Sequence, residues 1–228
     1  MAFQPIVDVA ARRVWAYEAL VRGTAGEGAG AILNMVDQTA IYAFDQACRI
    51  KAVELAGRIF PRDDDTRLSI NFMPNAVYEP DACIRATLTA ARRADFRLDR
   101  LMFEFTENEE MRDTAHVRTI IEAYRRRGFT TAIDDFGAGY AGLGLLSELR
   151  PDVLKIDMAL IRDIDESTTK RAIVRAVVAM AAELHIDVIA EGIETAGELA
   201  TLRGLGIRLY QGFLLARPAV EALPEINW

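Results

Sequence analysis

Carboxylates and carboxamides recur in this chain at one kind of place, the end of a short apolar run. The densest instance is Thr130–Tyr140, TTAIDDFGAGY, where the stretch Thr130–Ile133 meets two adjacent carboxylates, Asp134 and Asp135, and then glycines at 137 and 139. Neighbouring carboxylates repel each other unless a cation sits beside them. A divalent metal ion is the usual remedy, and glycines let the nearby backbone turn tightly. Taken alone, the stretch fits an Asp-rich turn capping the next helix equally well. The rest of the chain decides between the two. Glu18 follows Trp15-Ala16-Tyr17, Asn71 ends Ser69-Ile70-Asn71, and Glu104 sits in Phe103-Glu104-Phe105 with Glu107 just beyond. Lys155 and Asp157 close Leu154-Lys155-Ile156-Asp157, Glu191 ends Val188-Ile189-Ala190-Glu191 with Glu194 a turn later, and Gln211 follows Leu209-Tyr210.

Such residues need a scaffold that gathers strand ends. Phe3–Val9 and Val14–Val21 alternate as strands, and the short turn between them makes an antiparallel hairpin. After a glycine-rich loop at Gly23–Gly30, Ala31–Gly57 carries helical spacing. Strands are then expected at Leu68–Asn71, Leu101–Phe105, Thr130–Asp134, Val153–Ile156, Val188–Ala190 and Ile207–Tyr210. Between and after them the spacing predicts helices over Asp81–Arg93, Thr114–Arg127, Gly142–Leu149, Thr168–His185 and Thr195–Leu205, with a last one over Ala219–Leu223. Apolar strands alternating with amphipathic helices imply a mostly parallel sheet. Counting the hairpin, about eight strands suit an α/β, closed (β/α)8-type barrel. A doubly wound open sheet is the alternative, but its glycine fingerprint after the first strand is absent. No linker divides residues 1–228, so a single domain is expected.

The 228 residues are about half apolar (51%) and a quarter charged (27%), as in an ordinary globular protein. The net charge of −7 argues against bulk nucleic-acid binding. No apolar run is long enough for a membrane span, and the N-terminus has no basic start followed by an apolar core. Cys48 and Cys83 lack metal-ligand spacing and read as free buried thiols of a reducing compartment, so a cytoplasmic location is expected.

In a βα barrel all these strand ends face one mouth, where active sites are built. Oxygen-bearing residues converge there with one cation, Lys155, among them, and so many carboxylates cannot stay ionised together without further positive charge. Ligands that are all oxygen favour Mg2+, Mn2+ or Ca2+ over Zn2+. Such sites commonly serve phosphoryl chemistry, by polarising phosphoryl oxygens and acidifying a bound water. The residues therefore lead to a metal-dependent hydrolase of a phosphate ester.

At these positions the chain resembles the EAL domain family of cyclic di-GMP-specific phosphodiesterases. The resemblance runs from Gln4-Pro5-Ile6-Val7 to Gln211-Gly212-Phe213 and includes Glu18-Ala19-Leu20, Ser69-Ile70-Asn71, Glu104-Phe105-Thr106-Glu107, Asp134-Asp135-Phe136-Gly137, Lys155-Ile156-Asp157 and Ala190-Glu191-Gly192-Ile193-Glu194. It implies a modified barrel with an antiparallel first strand, one or two Mg2+ or Mn2+ ions, and hydrolysis of one phosphodiester bond of cyclic di-GMP to linear pGpG. It implies Glu18, Asn71, Glu104 and Asp134 as ligands of one ion, and Asp134, Asp135 and Glu191 for a second. Lys155 would orient the attacking water or act as its base, with Glu191 the rival for that role. Asp157 and Gln211 would hold water, metal or substrate, Arg22 would contact a substrate phosphate, and Glu107 would anchor the loop after Asp135. A homodimer is implied too.

The chain also departs from the family pattern. Val21 replaces a leucine. Ala138, Ala141 and Gly142 stand where many members carry hydroxyls in a Gly-Thr-Gly-Tyr-Ser-Ser-Leu stretch, and Ala31–Asp37 replaces the usual Phe-Ile-Pro segment. A catalytically weak cyclic di-GMP receptor or protein-interaction module is therefore the alternative reading. Regulation is expected through a protein partner, an oligomer or expression level. His116, His185, Trp15, Asp63–Asp65 and Arg125–Arg127 read as surface, packing or helix-end residues.

Overall fold

The computed structural model describes all residues except 38, 74–79, 107–113 and 140–141, and the side chains of residues 80–83 and 114 are likewise left out. Strands β1 (Ala2–Asp8) and β2 (Arg13–Leu20) form the expected hairpin, with Gln4 opposite Glu18. Helices α1 (Ala29–Leu33) and α2 (Ile41–Ile59) follow, then β3 (Arg67–Asn71), α3 (Pro80–Arg93), β4 (Leu101–Thr106), α4 (Thr114–Arg126) and β5 (Thr130–Phe136). The chain continues through α5 (Gly142–Leu149), β6 (Val153–Ile156), the short α6 (Met158–Ile161), α7 (Thr168–Glu183), β7 (Asp187–Ala190), α8 (Ala196–Gly204), β8 (Leu209–Tyr210) and β9 (Ala219–Val220).

From β2 to β8 each strand pairs parallel with the next. β1 runs antiparallel to both β2 and β8 and closes the ring, Val7 opposite Tyr210 and Asp8 opposite Leu209. The result is a (β/α)8-type barrel with one inverted strand. Two expectations are corrected. The segment Ala31–Gly57 is not one helix but two, broken between Leu33 and Ile41. Ala219–Leu223 is not a helix: Ala219 and Val220 pair antiparallel with Phe3 and Ala2 as an outside strand. Among the described residues no helix is long and apolar enough to cross a membrane.

The packing follows from the two-residue period of strands. Inward-facing Ile6, Ala16, Met102, Ala132, Val153, Ile189 and Leu209, joined by Trp15 at the register shift in the β1–β2 pairing, form one buried cluster that plugs the barrel. The alternate residues, among them Tyr17, Leu68, Ile70, Phe103, Phe105, Ile133, Leu154, Ile156 and Tyr210, face outward into a second core under the helices. Two positions beyond six of the eight plug residues the chain places a functional group: Glu18 after Ala16, Glu104 after Met102, Asp134 after Ala132, Lys155 after Val153, Glu191 after Ile189 and Gln211 after Leu209. The plug is thus a dry floor, and the polar residues form the layer above it.

Trp15 is a packing residue as expected, 6% exposed with the Arg67 guanidinium 4.5 Å above its ring. Cys48 is half-buried and unbridged, rather than fully buried. The side chain of Cys83 lies outside the described residues.

Candidate metal centre

Lys155 stands at the centre of the polar layer, 1% exposed. Its Nζ lies 2.7 Å from Glu191 Oε1, 2.8 Å from Glu104 Oε2, 3.1 Å from Asp134 Oδ1 and 3.3 Å from Glu18 Oε2. Four carboxylates, three on strands β2, β4 and β5 and one just past the end of β7, therefore surround one ammonium. Two amides join from either side: Asn71 Nδ2 donates to Glu18 Oε1 at 2.8 Å, and Gln211 Nε2 to Glu18 Oε2 at 2.9 Å. The Ser69 hydroxyl donates to Glu104 Oε1. Sequence reading quoted Ser69 in a motif but gave it no role; its signal is parity, two residues before Asn71 on the same face of β3.

The electrostatics match that crowding. Burial pushes the Glu104 carboxyl up to about 8, helped by Glu18 and Asp134 and opposed by Lys155. Burial and the Asp134 carboxylate push Glu191 well above the ordinary range. Asp135 rises to about 6 through burial and the carboxylates of Asp134 and Asp157. Burial works against the Lys155 cation, but the four surrounding carboxylates outweigh it and raise its pKa. The cage thus holds more negative groups than its one cation can balance, and it compensates by keeping protons.

Two overlapping sets fit metal ions. One oxygen each from Glu18, Glu104 and Asp134 lie within 4.8 Å of one another, and so do oxygens from Asp134, Asp135 and Glu191. Asp134 belongs to both sets and would be shared if two ions were held. Gln211 Oε1 is buried without a hydrogen-bond partner, an acceptor suited to a water held on such an ion. The donor set and the excess negative charge fit one or two hard divalent cations. The turn that presents Asp135 is a tight one. Asp135 adopts φ 57° with its N–H donating to Asp134 Oδ1 at 2.9 Å, and Gly137 follows at φ 96°. A Cβ at Gly137 would stand 2.4 Å from Leu160 Cδ1, so the turn packs directly onto α6.

Of the remaining predicted residues, Asp157 and Arg22 stand apart from the cage. Asp157 caps α6, its Oδ1 accepting from Ala159 N at 2.8 Å, yet lies close enough to press on Asp135. Arg22 folds back onto the Val21 carbonyl at 2.7 Å. Glu107 lies outside the described residues, as do Tyr140 and Ala141.

Fold and site together define a barrel of the kind that holds divalent cations at its mouth. The comparisons with known proteins agree, and the chain belongs to the EAL domain family, whose model matches residues 1–218. It is 33% identical over its full length to the blue light- and temperature-regulated antirepressor BluF of Escherichia coli K12, covering 56% of that protein. It is also 33% identical to the cyclic di-GMP phosphodiesterase NbdA of Pseudomonas aeruginosa, matching 98% of this chain and 29% of that one. The chain therefore spans little more than half of one relative and less than a third of the other. Among solved structures it matches a c-di-GMP-bound standalone versatile EAL protein from Vibrio cholerae O395, with TM-score 0.94, 44% identity and coverage of 100% of this chain and 94% of that one. It also matches Klebsiella pneumoniae BlrP1 in a manganese/cy-diGMP complex, with TM-score 0.93, 38% identity and coverage of 100% and 57%.

Proposed function

We propose that residues 1–228 act as a single EAL unit that hydrolyses one phosphodiester bond of cyclic di-GMP to linear pGpG with Mg2+ or Mn2+. The observation that carries the reading is the cage itself: Glu18, Glu104, Asp134 and Glu191 within 3.3 Å of the Lys155 ammonium. Similarity to EAL proteins solved with cyclic di-GMP supplies the substrate.

Glu18, Asn71, Glu104 and Asp134 would hold one ion, and Asp134, Asp135 and Glu191 the other. When bound, the ions polarise the phosphoryl oxygens and acidify the attacking water. The plug residues beneath close the cage from below and exclude bulk water from it. Lys155, fixed by its carboxylates, aims a positive charge at the centre, where an anionic oxygen or attacking water would stand. Gln211 holds Glu18 in register through its N–H and offers its buried carbonyl to water or substrate. Arg22 and Asp157 sit on the segments leaving β2 and β6, where a phosphate and its hydrating waters would lie. Lys155 and Glu191 remain the two candidates for the base. A homodimer, a regulatory protein partner and a cytoplasmic location belong to the same reading; Leu143 on α5 stands 65% exposed, as an interface residue would.

The test is a chromatographic time course of cyclic di-GMP with purified protein, with Mn2+ and with chelator. Metal-dependent appearance of pGpG is expected, and intact nucleotide in Mn2+ sinks the proposal. One observation favours a second reading, a receptor with little turnover: Ala138, Ala141 and Gly142 supply no hydroxyl to tether the turn after Asp135. It predicts nucleotide binding without pGpG.

A further inference from the structure

Glu191 and Lys155 are 2.7 Å apart, Glu191 just past the end of β7 and Lys155 on β6, and the segments that follow the two strands are joined by an ion pair away from the cage. Glu198, on the first turn of α8, is 1% exposed. Its Oε1 accepts from Arg162 Nη1 at 3.1 Å and from Asp163 N at 3.2 Å, both in the segment leaving β6. Its Oε2 accepts from Glu194 N at 2.8 Å and Thr195 N at 3.0 Å, both in the segment leaving β7. Arg162 reaches across the same gap, donating from Nη2 to the Gly192 carbonyl at 3.1 Å and pairing with Glu194 Oε1 at 2.9 Å. Its own carbonyl accepts from Lys170 Nζ at 2.7 Å, which ties the pair to α7.

A helix cap explains only part of this. Thr195 and Glu198 do form a capping box, which accounts for the bond to Thr195 N. The bonds to Arg162, Asp163 and Glu194 are additional, and they bridge two loops. The segment between is held to one path. Gly192 lies at φ 67°, and a Cβ there would meet Met158 Cβ at 2.4 Å. Ile193 N donates to the Gln211 carbonyl at 3.1 Å, and Glu191 N to the Ile156 carbonyl at 3.2 Å. Burial disfavours the Glu198 anion, but the N–H donors of Glu194, Thr195 and Asp163 and the Arg162 cation outweigh it and hold the carboxyl below its ordinary range.

We propose that Arg162 and Glu198 are positioning residues that fix the Glu191 carboxylate against Asp134 and Asp135, and so set the affinity of one metal ion and not the other. The ion between Glu18, Glu104 and Asp134 takes nothing from the β7 loop. Partners of ligands typically contribute about 10- to 100-fold in metal affinity. The inference rests on the two-ion reading of the cage, and not on the identity of the substrate.

The test is calorimetric titration of the metal-free protein with Mn2+, for wild type, Glu198→Gln and the milder Arg162→Lys. Hydrogen exchange at the Glu194 and Thr195 amides is followed in parallel. Wild type is expected to take two ions. Both variants should bind one of them about 10- to 100-fold more weakly while the other changes by less than about twofold, with faster exchange at both amides. Two ions bound at wild-type affinity in both variants would overturn the inference. Parallel weakening of both ions would reduce the pair to a general structural role and overturn it too. A wild type that takes a single Mn2+ removes the two-ion reading and the inference with it, whether or not cyclic di-GMP is cleaved.

Discussion

Glu18 is the residue on which most of the cage converges. It accepts from Asn71, Gln211 and Lys155 at once, so its carboxylate joins strands β2, β3, β6 and β8. Glu18→Gln removes an ionised oxygen and places an N–H where donors already point. Metal binding and turnover are expected to fall together, and a Glu18→Gln protein with undiminished turnover refutes its place as a ligand. Lys155→Met separates roles differently. The ions can still be held by the carboxylates, while removal of a group acting on the attacking water costs about 10²- to 10⁴-fold in rate. Comparing it with Glu191→Gln at saturating Mn2+ decides between the two bases. The titration of the cage gives a third outcome. Glu104 is raised from 4.5 to about 8 and Asp135 from 3.8 to about 6. A raised carboxyl binds more protons in the folded state than in the unfolded one. The stability that this proton uptake gives the metal-free chain is therefore present at low pH and lost as pH rises through about 6 and then about 8. Bound Mn2+ displaces those protons, so its apparent affinity should rise across the same window, by about tenfold per pH unit for each proton displaced. Denaturation midpoints at pH 5.5 and 8.5, with metal and with chelator, measure both effects, and a flat profile would contradict the raised values.

Among the elements, the strands do most to place the chemistry. On β2 and β4 to β8 the plug residue lies two positions before the functional residue and shares its face, so the floor supports the cage directly. Met102 is wholly buried in the barrel interior, two residues before Glu104. Met102→Ala is expected to cost about 2–5 kcal/mol in urea denaturation, the range for emptying a packed core position. It should also weaken metal binding, because the cavity opens under a ligand. The outer face tolerates change differently: Phe103 packs against Tyr124 and Phe129 with ring centroids 4.9 and 5.2 Å away, and its loss would reduce stability with little direct effect on the cage. Helix α6 bears on the site for another reason, since Leu160 fills the space a side chain at Gly137 would need.

For the whole molecule, the decisive feature is closure. Ring continuity passes through β1, whose register with β8 is only Val7–Tyr210 and Asp8–Leu209. The cage lies across this ring and ties together strands far apart in sequence, Glu18 to Gln211 among them. An ion bound there acts on the folded barrel alone, because the unfolded chain scatters its ligands. Mn2+ at about 100 times its dissociation constant should therefore add about 2.7 kcal/mol to the unfolding free energy. Chelator should remove that increment, and a midpoint indifferent to Mn2+ would show that the cage does not take the metal.

The barrel class, the inverted first strand and the strand ends that carry carboxylates and amides were legible in the sequence by itself, because a two-residue period and a parallel βα alternation are local patterns. It also supplied the carboxylate and amide types that favour a hard cation. It did not determine that Ala219 and Val220 lie beside β1, since a two-residue strand has no periodicity to read. Nor did it show that Arg162 and Glu198, 36 residues apart, meet between two loops. For Lys155 the place among the carboxylates was legible as the one cation at the barrel mouth, but the four contacts at 2.7 to 3.3 Å with Glu191, Glu104, Asp134 and Glu18 were not. Those pairings are set by closure of the ring, which brings distant strand ends within hydrogen-bond distance, and no spacing along the chain encodes that distance.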